Sequence, residues 1–261
     1  YVGQGGQCNM GAPSYNFSFL AEYALSAAVL SVDLDAIGNT TYDLPTLDDE
    51  DRAGVVDLND PFGGNDGKNQ AKLVPGGPVQ VHSSGYRNPF DVVIHSNGHL
   101  YTVDNGPNLG WGGPPIGEGP GGTCTNADND ANSASLPDNL HMIPGPGYYA
   151  GHPNPTRAST SNTFNATNPQ SPVPAGDPQQ CEYREPGTDG SLAQWNASTN
   201  GLVEYRANNF GGALQGAILA ASFDNSVQRI DLNAAGDSAI AVAPLFSNID
   251  ITPLDLTAQP D

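Results

Sequence analysis

The chain has 261 residues and a mass of 27.0 kDa, enough for one large domain with a substantial core. Its 28 acidic against 8 basic side chains give a formal net charge of -20, which excludes a binder of phosphate backbones, because that role needs clustered Lys and Arg. No apolar run is long enough for a membrane span, and 32 Gly and 23 Pro with only 14% charged residues point to turn-rich β structure, not helical bundles.

Tyr1-Val2-Gly3-Gln4-Gly5-Gly6 reads as the end of a strand, with no signal peptide before it, as a processed or truncated start would give. Phe17 to Ala28 is a candidate helix, since Leu20, Tyr23, Ala24 and Ala27 share a face. Strands are expected at Ala27 to Leu34, Val79 to Ser83, Phe90 to His95, Leu100 to Asp104, Leu140 to Ile143, Gly201 to Arg206, Ala217 to Ser222, Val227 to Leu232 and Ala239 to Phe246. Ser96-Asn97-Gly98 between two apolar runs predicts a tight hairpin, both of whose turn positions favour positive φ. Asp104-Asn105-Gly106-Pro107 predicts a second tight turn at a strand end, where carbonyls and carboxylates converge. Thr41 to Gly77, Gly106 to Asn139 and Asn154 to Ala193 are long loops rich in Gly, Pro, Asn and Asp.

Two internal repeats are visible. Val29 to Asn39 resembles Val227 to Asp237, each a strand that ends in Asp-Leu-Asp/Asn and a turn. Pro89-Phe90-Asp91-Val92 matches Pro253-Leu254-Asp255-Leu256, which predicts that Asp261 falls inside a second hairpin. Repeated strand pairs mark radial β architectures, in which a blade takes ~40–45 residues, and the strand material outside the loops is enough for roughly three or four blades.

Of three cysteines, Cys124 and Cys181 flank an insertion that their pairing would staple, and Cys8 is left over. That implies an oxidising, extracellular or periplasmic setting. Asp128, Asp130 and Asn132 alternate as calcium ligands often do, with Asp138 following, but the turn glycine and closing Glu of an EF-hand are missing. Asp48-Asp49-Glu50-Asp51 and Asp57 to Asp60 read as solvated loops. His82, His95, His99, His141 and His152 form no ligand spacing. Trp111, Trp195, Tyr148 and Tyr149 are candidates for stacking on sugars, with packing the commoner role of isolated aromatics.

The Gly85-Tyr86-Arg87-Asn88-Pro89 entry, its apolar strand, the Gly98 turn, the second strand and the Gly106-Pro107-Asn108 exit occur in one order. In this the chain resembles the soluble quinoprotein glucose dehydrogenase and sorbosone dehydrogenase family, and a weaker likeness runs from the N-terminus to about Leu232. The resemblance implies an all-β, six-bladed propeller, of which residues 1–261 would form a single partial domain of about three to four blades. In such a fold the region of Phe17 to Ala28 is mainly a connection before a strand.

The resemblance also implies site roles. Arg87 and Asn88 match a pair that contacts pyrroloquinoline quinone on the top face, where an arginine fork suits carboxylates and carbonyls. Gly106 and Pro107 match backbone carbonyls that ligate calcium, and Asp138 falls at an acidic residue of a second calcium site, although its neighbour Asn139 is acidic in the family. Three departures stand against these matches. The family's base histidine precedes the residues aligned with Tyr1, a glutamine near the quinone falls at Gly5 or, with a slip of one, Gln4, and a cofactor-contacting arginine falls near Asp224-Asn225, where losing a cation costs affinity for an anionic cofactor. His152 stands in place of a tryptophan in a Gly-Trp-Pro turn and is expected to help shape the top face.

The expected function is therefore that of a secreted, calcium-dependent quinoprotein that oxidises a sugar or polyol. The alternative is a catalytically silent, calcium-binding propeller with a binding or structural role. Expected partners are the remaining propeller segments or other extracellular proteins.

Overall fold

The computed structural model describes residues 1–11, 14–17, 22–47, 70–71, 73–113, 135–154, 157, 177–184 and 187–259. In chain order their elements are β1 (Val2–Gln4), β2 (Ala28–Val32), α1 (Leu34–Ile37), β3 (Thr46–Leu47), β4 (Gln70–Ala71), β5 (Val79–Ser84), β6 (Pro89–Ile94), β7 (Leu100–Asp104), β8 (Asp138–Ile143), β9 (Tyr148–Tyr149), β10 (Ala193–Trp195), β11 (Thr199–Glu204), β12 (Ile218–Ser222), β13 (Ser226–Leu232) and β14 (Ala239–Phe246). The protein is mostly β-sheet with almost no helix, and among the described residues no helix is long and apolar enough to cross a membrane.

Among the described residues three four-stranded sheets carry the fold. The first has the order β1-β2-β5-β9, the second β10-β8-β7-β6 and the third β11-β12-β13-β14, while β3 and β4 form a separate ribbon. All pairings are antiparallel except the short parallel one of β5 with β9. β7 and β12 are buried along their whole length, which explains why both read as continuous apolar runs without alternation. β14 is the exposed edge of the third sheet and carries Pro244, a residue that sheets accept at an edge because it has no N–H to give a further strand.

The first sheet packs on the second and the second on the third, with β9 returning to the first sheet after β8. Val29 of the first meets Tyr86, Leu100 and Ile143 beside the second, with Ala150. Tyr101, Val103, Leu140 and Trp195 of the second meet Leu202, Ile218, Ala220 and Ile230 of the third. Ala28 and Leu30 of β2 and Val79 and Val81 of β5 form a further cluster on the first sheet, which Leu25 and Leu73 join.

Close backbone approaches fix the joints between sheets. β6 lies against β1 on one side and β11 on the other. At Gly3 an added Cβ would lie 2.2 Å from the Pro89 carbonyl oxygen, and at Gly201 one would lie 2.5 Å from Asp255 Cα, so both joints need glycine. Asp91 accepts the N–H of Val92 through Oδ1 and that of Leu202 through Oδ2, each at 2.7 Å. Asp255 repeats the first of these bonds, accepting the N–H of Leu256 at 2.7 Å, while Gly201 N–H donates to the Leu254 carbonyl at 3.1 Å. The Pro89–Val92 and Pro253–Leu256 repeat is thus structural: each copy runs beside a glycine of an end strand, Gly3 of β1 or Gly201 of β11.

Three sequence expectations are corrected. The Phe17 to Ala28 helix does not form over residues 22–27: a 3-10 turn spans Tyr15–Phe17, the Ser26 hydroxyl ties into the backbone of Tyr23, and Ala27 takes φ 51°. Local bonds from a serine hydroxyl compete there with the helical ladder. The strand expected to reach Leu34 stops at Val32, because Asp33 caps α1 by accepting Ala36 N–H at 2.9 Å. In the hairpin only Gly98 takes positive φ (88°); five residues, His95 to His99, join β6 to β7, with Gly98 N–H donating to the His95 carbonyl at 2.9 Å and Asn97 Oδ1 accepting His99 N–H at 2.9 Å. Cys124, Asp128, Asp130, Asn132, Asp48 to Asp51 and Asp57 to Asp60 lie outside the described residues.

Candidate functional site

The chain enters the candidate site through Gly85, whose φ of 86° and contact with the Tyr149 ring leave no room for a Cβ. Beyond Tyr86, Arg87 and Asn88 both direct their backbone N–H groups at the buried carboxylate of Asp104, at 3.1 and 2.6 Å. Asn88 Nδ2 donates to Asn105 Oδ1 at 2.7 Å, and Asn105 Nδ2 donates onward to Asp138 Oδ2 at 2.6 Å and to the Thr199 carbonyl at 2.8 Å. Asp138 also accepts Gly106 N–H through Oδ1 and Thr199 N–H through Oδ2, each at 2.7 Å. The strand ends β6, β7, β8 and β11 are thereby tied into one rim, which brings Arg87, Asn88, Gly106 and Asp138 together with the adjoining Pro107.

Electrostatics follow from burial. Desolvation pushes Asp104 up to about 7 against the opposing pull of the Asn88 and Arg87 N–H groups and the Arg87 charge. Burial raises Asp138 as well, opposed first by the N–H groups of Thr199 and Gly106. At Gly106 an added Cβ would lie 2.4 Å from the carbonyl oxygens of Leu136 and Pro137, so the turn admits only glycine.

Two cavities meet at Arg87. One, of about 30 Å³, is lined by Arg87, Asp104, Gly106, Asn139, His152 and Arg184, among others. Arg87 Nε and Asn139 Oδ1 are buried beside it with no hydrogen-bond partner among the described residues, which is costly unless a further group or water meets them. The other, of about 210 Å³, is lined by Gly5, Gly6, Cys8, Phe17, Arg87 and Asn88. Gly5 rather than Gln4 borders it, and Gln4 sits exposed in β1. Trp111 is exposed with its ring centroid 6.2 Å from that of Phe17, whereas Trp195 and Tyr149 are packed inside.

Cys8, Glu22 and His152 form a buried cluster that sequence reading did not assemble. Cys8 Sγ lies 3.8 Å from Glu22 Oε2 and 3.7 Å from His152 Nε2, and His152 Nε2 lies 3.6 Å from Glu22 Oε2. Burial, then the charge of Glu22, pushes the Cys8 thiol up. The residues come from three separate segments with no spacing motif, so the one signal in the sequence was the odd cysteine, which is free.

Three other histidines serve the scaffold. His95 Nε2 donates to the Gly216 carbonyl at 2.9 Å, His99 Nε2 to that of Ala235 at 3.0 Å, and His141 Nδ1 meets Tyr148 Oη at 2.9 Å. The turn at Asp224-Asn225 holds no cation: Asp224 bonds the Ser226 hydroxyl, and Asn225, at φ 61°, accepts from Thr252 at 3.2 Å.

No family model matches the sequence and no curated protein matches it. Among solved structures two glucose dehydrogenases are similar to it, each at 22% identity over 74% of this chain, with TM-scores of 0.37 and 0.36. The chain spans about two fifths of their length, 42% and 41%.

Proposed function

We propose that this chain is part of a β-propeller of the quinoprotein sugar dehydrogenase type, whose Arg87 rim binds pyrroloquinoline quinone and calcium for the oxidation of a sugar or related alcohol. The propeller reading is supported by three four-stranded sheets among the described residues, with β6 of the second lying against β1 of the first and β11 of the third. The observation that carries the ligand reading is Arg87 Nε, a buried guanidinium N–H with no partner among the described residues, at a cavity that Arg184 also lines.

These residues suit an anionic, carbonyl-bearing group. Arg87 would donate charge-assisted bonds to a carboxylate or carbonyl, and Asp104 sets its position by holding its backbone N–H. Asn88 would stay oriented by Asn105 while bordering the larger cavity. The carbonyls of Gly106 and Pro107 would serve a hard cation, and Asp138 supports that turn through the Gly106 N–H. Phe17 and the exposed Trp111 offer apolar surface for a flat ring or a sugar. The quinone, when bound, would supply the acceptor for a hydride from the carbinol carbon. An extracellular or periplasmic setting with Cys124 joined to Cys181 belongs to the same reading.

A catalytically silent, calcium-binding propeller is the second reading, favoured by the Asp224-Asn225 turn, where the resemblance expects an arginine. Equilibrium dialysis of the full-length protein against pyrroloquinoline quinone, with and without calcium, followed by dye reduction with aldoses, separates the two. Calcium-dependent retention of the quinone that Arg87→Ala abolishes supports the first; no retention at all rejects it.

A further inference from the structure

We infer that Cys8, Glu22 and His152 form a binding site for a thiophilic divalent transition metal ion, best matched by zinc. The inference is independent of the quinone reading.

The donor atoms form a nearly equilateral triangle with edges of 3.8, 3.7 and 3.6 Å. A point equidistant from all three lies about 2.1 Å from each, and a small displacement out of the plane reaches the ~2.0–2.3 Å of zinc bonds to nitrogen, oxygen and sulfur. The donor set of one sulfur, one imidazole nitrogen and one carboxylate oxygen selects against the hard ions magnesium and calcium. A thiolate and a carboxylate together carry two negative charges, which a divalent ion offsets inside a buried site.

The surroundings hold the donors in place. Gln7 N–H and the Ser26 hydroxyl bond Glu22 Oε1 at 2.8 and 2.5 Å, which turns Oε2 toward Cys8 and His152. Gly6 faces the cluster, and an added Cβ there would lie 3.1 Å from His152 Nε2 and 3.2 Å from Glu22 Oε2. Cys8 borders the 210 Å³ cavity and His152 the 30 Å³ one, so a fourth ligand has a route to the ion from either side. Three protein ligands with one exchangeable position is the arrangement of an open metal site, which would take water or a small anion near Arg87.

The test is titration of the full chain with Co²⁺ and with Zn²⁺ in excess calcium and without quinone. The expected result is one equivalent bound, a near-ultraviolet thiolate-to-cobalt charge-transfer band, displacement of cobalt by zinc, and zinc protection of the Cys8 peptide from alkylation as read by mass spectrometry. Cys8→Ser and His152→Gln, checked for folding by circular dichroism, should each lower affinity by about 100-fold or more, and Cys8→Ser should remove the band. A cobalt complex without that band, Cys8 alkylated at the same rate with and without zinc, or unchanged affinity in folded variants overturns the site. If the variants do not fold, the spectrum and the Cys8 protection of the unaltered protein decide.

Discussion

The carboxylate of Asp91 in the second sheet accepts the backbone N–H of Leu202 in the third at 2.7 Å. The carboxylate thus accepts a hydrogen bond from the end strand β11 of the neighbouring sheet, where Val92 N–H already fixes the other oxygen. Asp91→Ala is expected to lower the unfolding free energy by about 1–3 kcal/mol. Urea unfolding with an unchanged m-value would confirm that the loss is one of stability, and a midpoint equal to that of the parent would reject this joint.

Gly3 and Gly201 make the equivalent approaches at successive joints, to Pro89 and Asp255. Gly3→Ala and Gly201→Ala should each cost about 1–3 kcal/mol through backbone displacement. Gly145→Ala, at a position with no neighbouring atom in the space a Cβ would fill, should stay within about 0.5 kcal/mol of the parent. Thermal melts of the three variants give the comparison directly.

Asp104 predicts a pH dependence. Its folded-state pKa of about 7 lies above the unfolded value of about 3.9, so the folded state holds an extra proton between those limits. Stability from this group is full below about pH 4 and declines as pH rises through about 7. His141 acts in the opposite sense: burial holds its pKa below the usual value, so protonation costs stability as pH falls below about 6.5. Asp104→Asn should therefore gain stability relative to the parent between about pH 4.5 and pH 7.5, as read from urea midpoints at each pH. A constant difference across that range would contradict the raised value.

Arg87→Lys keeps a positive charge but removes the Nε donor that borders the small cavity. On the quinone reading it should weaken binding of pyrroloquinoline quinone by about tenfold or more, because an ammonium is a point charge and not a fork. Dialysis with the free cofactor measures this, and equal retention by both proteins would remove Arg87 from the site.

Strands were legible where β-prone apolar residues run together, whether the strand is buried like β7 or exposed like β14. Leu100 to Asp104 and Ala239 to Phe246 coincide with β7 and β14, and the other expected strands differ from the observed ones by one or two residues at their ends. β9 and β10, with two and three residues, are too short to show a period. The rim was legible as a set of residues because one hairpin carries most of it, yet its organisation was not, since Asp104 and Asp138 act through backbone N–H groups that any sequence would supply. The Cys8, Glu22 and His152 cluster was hidden for a different reason: turns without regular structure bring its members together across 144 positions of chain.

β10 ends at Trp195 and β11 begins at Thr199, yet these neighbouring segments belong to different sheets joined by a broad apolar face. A nick at Asn196 to Ser198 would therefore separate two bodies that retain matching surfaces, Trp195 and Leu140 on one and Ile218 and Ile230 on the other. Two co-expressed fragments cut there should find each other and reassemble without a peptide link, which makes this joint a natural position for a split reporter.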